Sequence, residues 1–249
     1  EIERRLKEEL NIPVFHDDQH GTAIVTLAAL INALKLVNKK IGDIKIVING
    51  AGAAGEAIAK LLIYFGANNI IVCDSKGIIC KGDPRLNSAK IELAKITNLK
   101  HIKGHLIDAM KEADVFIGVS VANCVSKEMV RSMNDKPILF TCANPIPEID
   151  PMDAKEAGAY IIGTGSSQYP NQINNVLVFP GLFRGAIDAK ATDINLEMMK
   201  AASLAIANTI KEDELKLDYI LPYAFDKNSH ANVAKAVKEA AIKCGCIRK

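Results

Sequence analysis

Hydrophobic positions along this chain follow two alternating rhythms. Short apolar runs, mostly β-branched, recur at residues 44–48, 70–73, 114–119, 137–141 and 159–163. Runs of this length, bounded by turn formers, read as strands buried on both faces of a parallel sheet. Between them the apolar residues fall at helical spacing, over residues 56–65, 87–96, 106–113, 126–133 and 151–157. Ser126 is placed to cap one of these helices, and Pro151 sits at the first position of another. Residues 22–37 are almost wholly apolar, rich in Ala and Leu and free of Gly and Pro. They predict a buried helix, with Thr22 as its candidate cap. Residues 1–10 predict a charged amphipathic helix carrying Ile2, Leu6 and Leu10 on one side. Residues 75–86 and 164–175 read as loops. Helices are expected again over 182–188, 195–210 and 232–243, where they should cover one edge of the sheet. Strands alternating with helices give an α/β fold, a doubly wound parallel sheet with right-handed crossovers and helices on both faces.

The first strand, helix and second strand carry more than a fold. The strand at 44–48 runs into Gly50-Ala51-Gly52-Ala53-Ala54-Gly55. Gly66 stops the helix that follows, and the second strand ends at Asp74. Strand, G-x-G-x-x-G, helix, strand and acid are the parts of a dinucleotide site, in order. Gly50 permits a tight turn, Gly52 lets backbone approach a pyrophosphate, and Gly55 lets helix and strand pack closely. The helix N-terminus offers unpaired N–H groups to the phosphates, so the whole turn from Gly50 through Ala51, Gly52, Ala53 and Ala54 to Gly55 is assigned to the cofactor. Asp74, 19 residues past Gly55, falls where a carboxylate meets ribose hydroxyls. That favours NAD, since a carboxylate repels a 2′-phosphate. Ser75 and Lys76 follow directly, and Lys76 could neutralise such a phosphate or swing out to solvent, which leaves NADP open. The motif alone is weak evidence; in this context it is strong.

Charge and composition narrow the classes. With 31 basic against 29 acidic residues the formal net charge is +2, which gives no footprint for nucleic acid. No uninterrupted apolar run reaches the ~18 residues of a membrane span, and the charged N-terminus lacks the apolar core of a signal peptide. No membrane or nucleic-acid partner is expected. Six scattered cysteines, Cys73, Cys80, Cys124, Cys142, Cys244 and Cys246, read as reduced thiols of an intracellular, cytoplasmic protein. Cys244 and Cys246 have no second Cys/His pair nearby, which argues against zinc. The chain opens on Glu1 rather than Met, inside an expected helix, so an upstream domain is expected to be missing.

In an open α/β sheet, ligands sit beyond the C-terminal ends of the strands. Val119 ends the third run there, Ser120 and Asn123 follow it, and Asn144-Pro145 follows the fourth. Asn-Pro is a turn former, but Asn144 also stands where a nicotinamide or its substrate belongs. Asp17-Asp18, flanked by His16 and His20, could solvate a loop, cap a helix or pair on the surface. It could also bind a divalent cation. Adjacent residues of an extended segment face opposite ways, so one carboxylate of the two would bind, too few for the six oxygens a hard cation takes. The histidines could be general bases. Asn174-Asn175 could cap a helix or bind a carboxylate.

Here the residues carry a family. Pro13-Val14-Phe15-His16-Asp17-Asp18-Gln19-His20-Gly21-Thr22-Ala23 resembles the segment that opens the cofactor domain of malic enzymes, the decarboxylating malate dehydrogenases. The likeness continues through Gly50 to Gly55, Val72-Cys73-Asp74-Ser75-Lys76-Gly77, Ala143-Asn144-Pro145 and Ser167-Gln168-Tyr169-Pro170-Asn171-Gln172-Ile173-Asn174-Asn175-Val176, with the smaller, prokaryotic-type branch as the nearest match. The resemblance implies a Rossmann-like NAD(P)-binding domain over 1–249, with a helical lead-in and C-terminal helices. It implies oxidation of malate by NAD, or NADP, followed by loss of CO₂ to give pyruvate, assisted by Mg²⁺ or Mn²⁺. Asp18 would be a metal ligand and Asp17 its active-site neighbour. Asn144 and Asn175 would contact malate and nicotinamide, and Thr22 would line the same cleft. A homo-oligomer, dimer or tetramer, is implied as well. The family's Glu-Asp metal ligands and its catalytic Tyr and Lys belong to the upstream domain, so this chain alone is expected to bind cofactor without turning over malate. Another dehydrogenase, such as one acting on amino acids, and a non-catalytic dinucleotide-binding module are the alternatives.

Overall fold

The five apolar runs form five parallel strands. In the computed structural model, which describes residues 2–248, these are β1 (Lys45–Asn49), β2 (Asn69–Asp74), β4 (Val115–Gly118), β5 (Ile138–Thr141) and β6 (Ile161–Thr164), with a short β3 (Gly77–Ile78) between β2 and β4. They make one sheet in the order β3-β2-β1-β4-β5-β6. Only the β2–β3 pair is antiparallel. β3 lies in a stretch expected to be loop, because two residues are too few to display a period. The helices are α1 (Ile2–Glu9), α2 (Thr22–Val37), α3 (Ala53–Phe65), α4 (Ser88–Ile96), α5 (Leu106–Met110), α6 (Lys127–Arg131), α7 (Pro151–Glu156), α8 (Phe179–Asp188), α9 (Leu196–Ala207) and α10 (Lys227–Lys243). Ser126 accepts a hydrogen bond from the Met129 amide and Pro151 opens α7, as the sequence predicts.

Side chains alternate across each strand, and the two sides feed two cores. Ile46, Ile48, Val72, Ile117 and Phe140 point to the layer of α2 and α3. Val47, Ile71, Phe116 and Leu139 point to the layer of α5, α6 and α7. Burial on both faces explains why the strands read as unbroken apolar runs. The order reverses direction between β1 and β4, and that switch point opens a crevice at the strands' C-terminal ends. All six cysteines are free.

The N-terminal part of α2 departs from expectation. Residues Asp17–Gly21 form a single π-helical turn that runs straight into α2. Thr22 is therefore already helical and caps nothing; its hydroxyl donates to the Asp18 carbonyl at 3.0 Å. Turn and helix together span 21 residues, enough by length and composition to cross a membrane. Ile24, Val25, Leu27, Ala28 and Leu30 are wholly buried in the core instead. The C-terminal helices also depart from expectation. They reach the sheet through α2 and α3, not by covering its edge: α9 packs on both, and α10 on α8 and α9. Ser203 of α9 donates to the Ile24 carbonyl at 3.0 Å. Buried Asn32 of α2 donates to the carbonyls of Ala207 and Ile220 at 2.9 and 3.0 Å.

Asn32 thus ties α2 to the C-terminal layer through two buried carbonyls. Removing one partner leaves the others desolvated, so Asn32→Ala should cost about 1–3 kcal/mol. Urea unfolding followed by circular dichroism checks this; an unchanged midpoint would mean that water or a neighbour replaces the amide.

Candidate functional site

The glycine-rich turn leaves β1 and becomes the first turn of α3. The helix starts at Ala53, three residues earlier than its apolar period implies, because the small residues of the turn are themselves helical. Gly50 has φ +123°, and a Cβ there would stand 2.5 Å from the Val119 carbonyl oxygen. A Cβ on Gly55 would fall on the carbonyl oxygen of Gly50. Both glycines therefore answer to the protein's own packing. Gly52 does not. It is exposed, its φ of −87° suits any residue, and nothing lies within 4 Å of the position its Cβ would take. Open space thus faces the N-terminus of α3, and no side chain caps that helix. Its first amides point where an anion would sit.

Asp74 ends β2 at one side of this space. Its Oδ1 accepts from the Lys76 amide at 2.8 Å and its Oδ2 from Lys90 Nζ at 2.5 Å. Burial opposes ionisation of this carboxyl, but the two hydrogen bonds outweigh it, and its pKa lies below the ordinary value. The cation on Asp74 is Lys90 of α4, which the sequence reading missed. The Lys76 side chain is exposed, the solvent-facing of its two readings, and Ser75 is exposed as well. No spacing rule brings Lys90 to Asp74; the packing of α4 does.

On the other side, Val119 is half-buried and Ser120 exposed. Asn49, the last residue of β1, donates to Ser120 Oγ at 2.8 Å. Beyond β5 lies a cavity of about 530 Å³ lined by Asp17, Asp18, Thr22, Cys142, Asn144 and Asn175, among others. The five residues assigned to substrate and metal, drawn from three distant parts of the chain, all meet in it. Asn175 Nδ2 donates to Asp17 Oδ2 at 3.2 Å, and Thr22 Oγ1 donates to Asn175 Oδ1 at 3.2 Å. The other oxygen of Asp17, Oδ1, is buried without a partner.

Two sequence readings are corrected here. Asp17 and Asp18 lie on a helical turn, not an extended segment, so both line the same cavity. The histidines do not line it: His16 is exposed, and His20 turns to Glu3 Oε1 at 2.7 Å. Burial lowers the His20 pKa, and Glu3 only partly opposes this. Asn174 and Asn175 divide the two readings between them. Asn174 accepts from the Val176 amide as a cap, while Asn175 faces the acids. Burial, then the charge of Glu148, raise the Cys142 thiol pKa, so no thiolate stands in the cavity wall. Among the described residues no group of three His, Cys, Asp or Glu could hold a metal. Two carboxylates and two amide oxygens at the cavity, one carboxylate oxygen unpartnered, fit part of a hard cation's shell.

Residues 19–242 match the family model described as "Malic enzyme, NAD binding domain". The chain is 59% identical, over 99% of its length, to the bifunctional malic/malolactic enzyme of Bacillus subtilis (strain 168), of which it covers 60%. It is 45% identical, over 98% of its length, to the NADP-dependent malic enzyme of Haemophilus influenzae, of which it covers 34%. A solved structure of the NAD-dependent malic enzyme of Thermotoga maritima superposes with a TM-score of 0.91 at 48% identity, over 95% of this chain and 62% of that one. The chain thus spans less than two thirds of the length of each of these proteins.

The glycines separate packing from ligand demand. Gly52→Val should leave the urea midpoint unchanged, since its side chain enters open space. Gly50→Val should destabilise by at least about 1–3 kcal/mol, from positive φ and collision with Val119. Equal loss in both variants would overturn the distinction.

Proposed function

Because the chain belongs to the malic enzyme family and matches its NAD-binding domain, we propose that it serves as the cofactor half of an enzyme that oxidises malate with NAD(P)⁺ and releases CO₂ and pyruvate. The observation that carries this reading is the placement of the Asp17–Asn175–Thr22 cluster beyond the same strand ends that present the open glycine turn. The turn from Gly50 to Gly55 and the N-terminus of α3 would bind the pyrophosphate. Asp74 would take the adenosine ribose, and the nicotinamide would run past Val119 and Ser120 toward Asn144. The amides of Asn144 and Asn175 would hold the carboxylate and hydroxyl of malate beside it. Thr22 orients Asn175, and Asn175 orients Asp17. A divalent cation held by Asp18 and substrate oxygens would supply the positive charge that stabilises an enolate as CO₂ departs. Among the described residues no lysine or tyrosine lines the cavity. The proton donor and acceptor would therefore come from the longer protein, and this chain would bind dinucleotide without turning over malate. The relatives named above do not favour the amino-acid dehydrogenase alternative.

NAD is the cofactor we favour, on the carboxylate at Asp74. Lys90 tempers that preference, because its ammonium offsets the charge that would repel a 2′-phosphate.

Titration of the chain with NADH, followed by fluorescence, tests the reading. Gly52→Val should bind at least about tenfold more weakly, since a branched side chain blocks the pyrophosphate. Full affinity in a folded variant would sink the assignment. Asp74→Ser should raise NADP affinity relative to NAD, and an unchanged ratio would mean that Asp74 does not face the ribose. In a complete enzyme, Asp18→Asn should weaken Mn²⁺ binding more than Asp17→Asn, and activity should recover partly at high Mn²⁺. Tight Mn²⁺ binding by the present chain alone would contradict a site shared with other residues.

A further inference from the structure

We infer that Glu148 is a positioning residue for the nicotinamide half of the cofactor site, joining the ends of β4 and β5 through its buried carboxylate. This rests on the cofactor reading above. Glu148 is 0% exposed. Its Oε1 accepts from the Ser120 amide at 3.2 Å, and its Oε2 from the Ala143 amide at 3.1 Å. Those amides belong to different segments, one just past β4 and the other just past β5. Backbone bonds reinforce the join: Asn123 donates to the Pro147 carbonyl and Val125 to the Glu148 carbonyl, both at 3.0 Å. Room for the carboxyl exists because Gly118 ends β4; a Cβ there would collide with it.

The chemistry of the join requires a carboxylate. Two backbone donors face one side chain, and only a group with an acceptor at each end satisfies both. Glutamine would set an N–H against one of them. No cation pairs with Glu148 among the ion pairs of the described residues, so the two amides carry the burden of holding a buried acid. Burial pushes its pKa up, and the Ala143 and Ser120 amides pull it back.

The direction of the cofactor makes this join functional. Gly50 and the N-terminus of α3 fix the pyrophosphate at β1, and Asp74 draws the adenosine side toward β2. The remaining half must cross the ends of β4 and β5, over Ser120 and Asn144, both exposed there. Glu148 touches neither that surface nor the ligand. It sets the spacing of the two segments that form the surface.

The test compares two ligands on the chain: NADH, and ADP-ribose, which lacks the nicotinamide. Glu148→Gln should weaken NADH by about tenfold, the worth of one charge-assisted hydrogen bond, and leave ADP-ribose affinity unchanged within error. Glu148→Asp, which keeps the charge on a shorter arm, should recover part of the NADH affinity. If the glutamine variant fails to fold, the aspartate variant carries the same comparison, with NADH weakened and ADP-ribose not. Equal weakening of both ligands would indicate general damage and overturn the inference, as would no change in either. Failure of the unsubstituted chain to bind ADP-ribose would instead overturn the cofactor reading beneath it.

Discussion

Of the glycines in this fold, Gly55 of α3 leaves the least room for a side chain, against Gly50 just past the end of β1. A single methyl at Gly55 would occupy the Gly50 carbonyl oxygen. That proximity fixes the axis of α3 and aims its uncapped N-terminus across the strand ends. Everything proposed for the crevice takes its bearing from that axis: the open space at Gly52, Asp74 on one flank, Ser120 and Asn144 on the other. A helix standing one methyl farther from the sheet would present its amides elsewhere.

Three carboxylates at the crevice illustrate how environment gives one functional group different tasks. Asp74 is met by an ammonium and an amide, which hold it ionised and moderate its field. Glu148 is met only by amides and is sealed from water, so it organises backbone. Asp17 is half satisfied: Asn175 takes one oxygen and the other waits, buried. Desolvated acceptors without partners are costly, and this oxygen lies against Gly21, where a Cβ would collide with it.

Much of this was legible in the sequence. The five parallel strands followed from apolar runs, because burial on both faces leaves no polar alternation to confuse them. The glycine turn and Asp74 were legible because their spacing is local. Asn144 was legible from its place past a strand end and Asp17, Asp18 and Asn175 from their chemistry; the resemblance added Thr22 and a role for each, and the structure gathers the five at one cavity. What escaped was tertiary. Lys90 reaches Asp74 by the packing of α4, and Glu148 reads as one more acid in a Pro-rich turn until two strand ends converge on it. The geometry of residues 17–21 escaped for a different reason. A polar stretch before an apolar helix looks like a loop, yet here the helical winding begins five residues early.

That early winding has a kinetic consequence. Acids on a loop can sample many positions on a fast timescale, and their placement is independent of the core. Asp17 and Asp18 instead ride the first turn of the most deeply buried helix in the chain, continuous with residues that have no solvent exposure. Local opening is costly where buried apolar contacts are dense. The backbone of the pair is therefore coupled to the core, and core mutations in α2 that leave every cavity residue intact should still alter how long the acids stay in place.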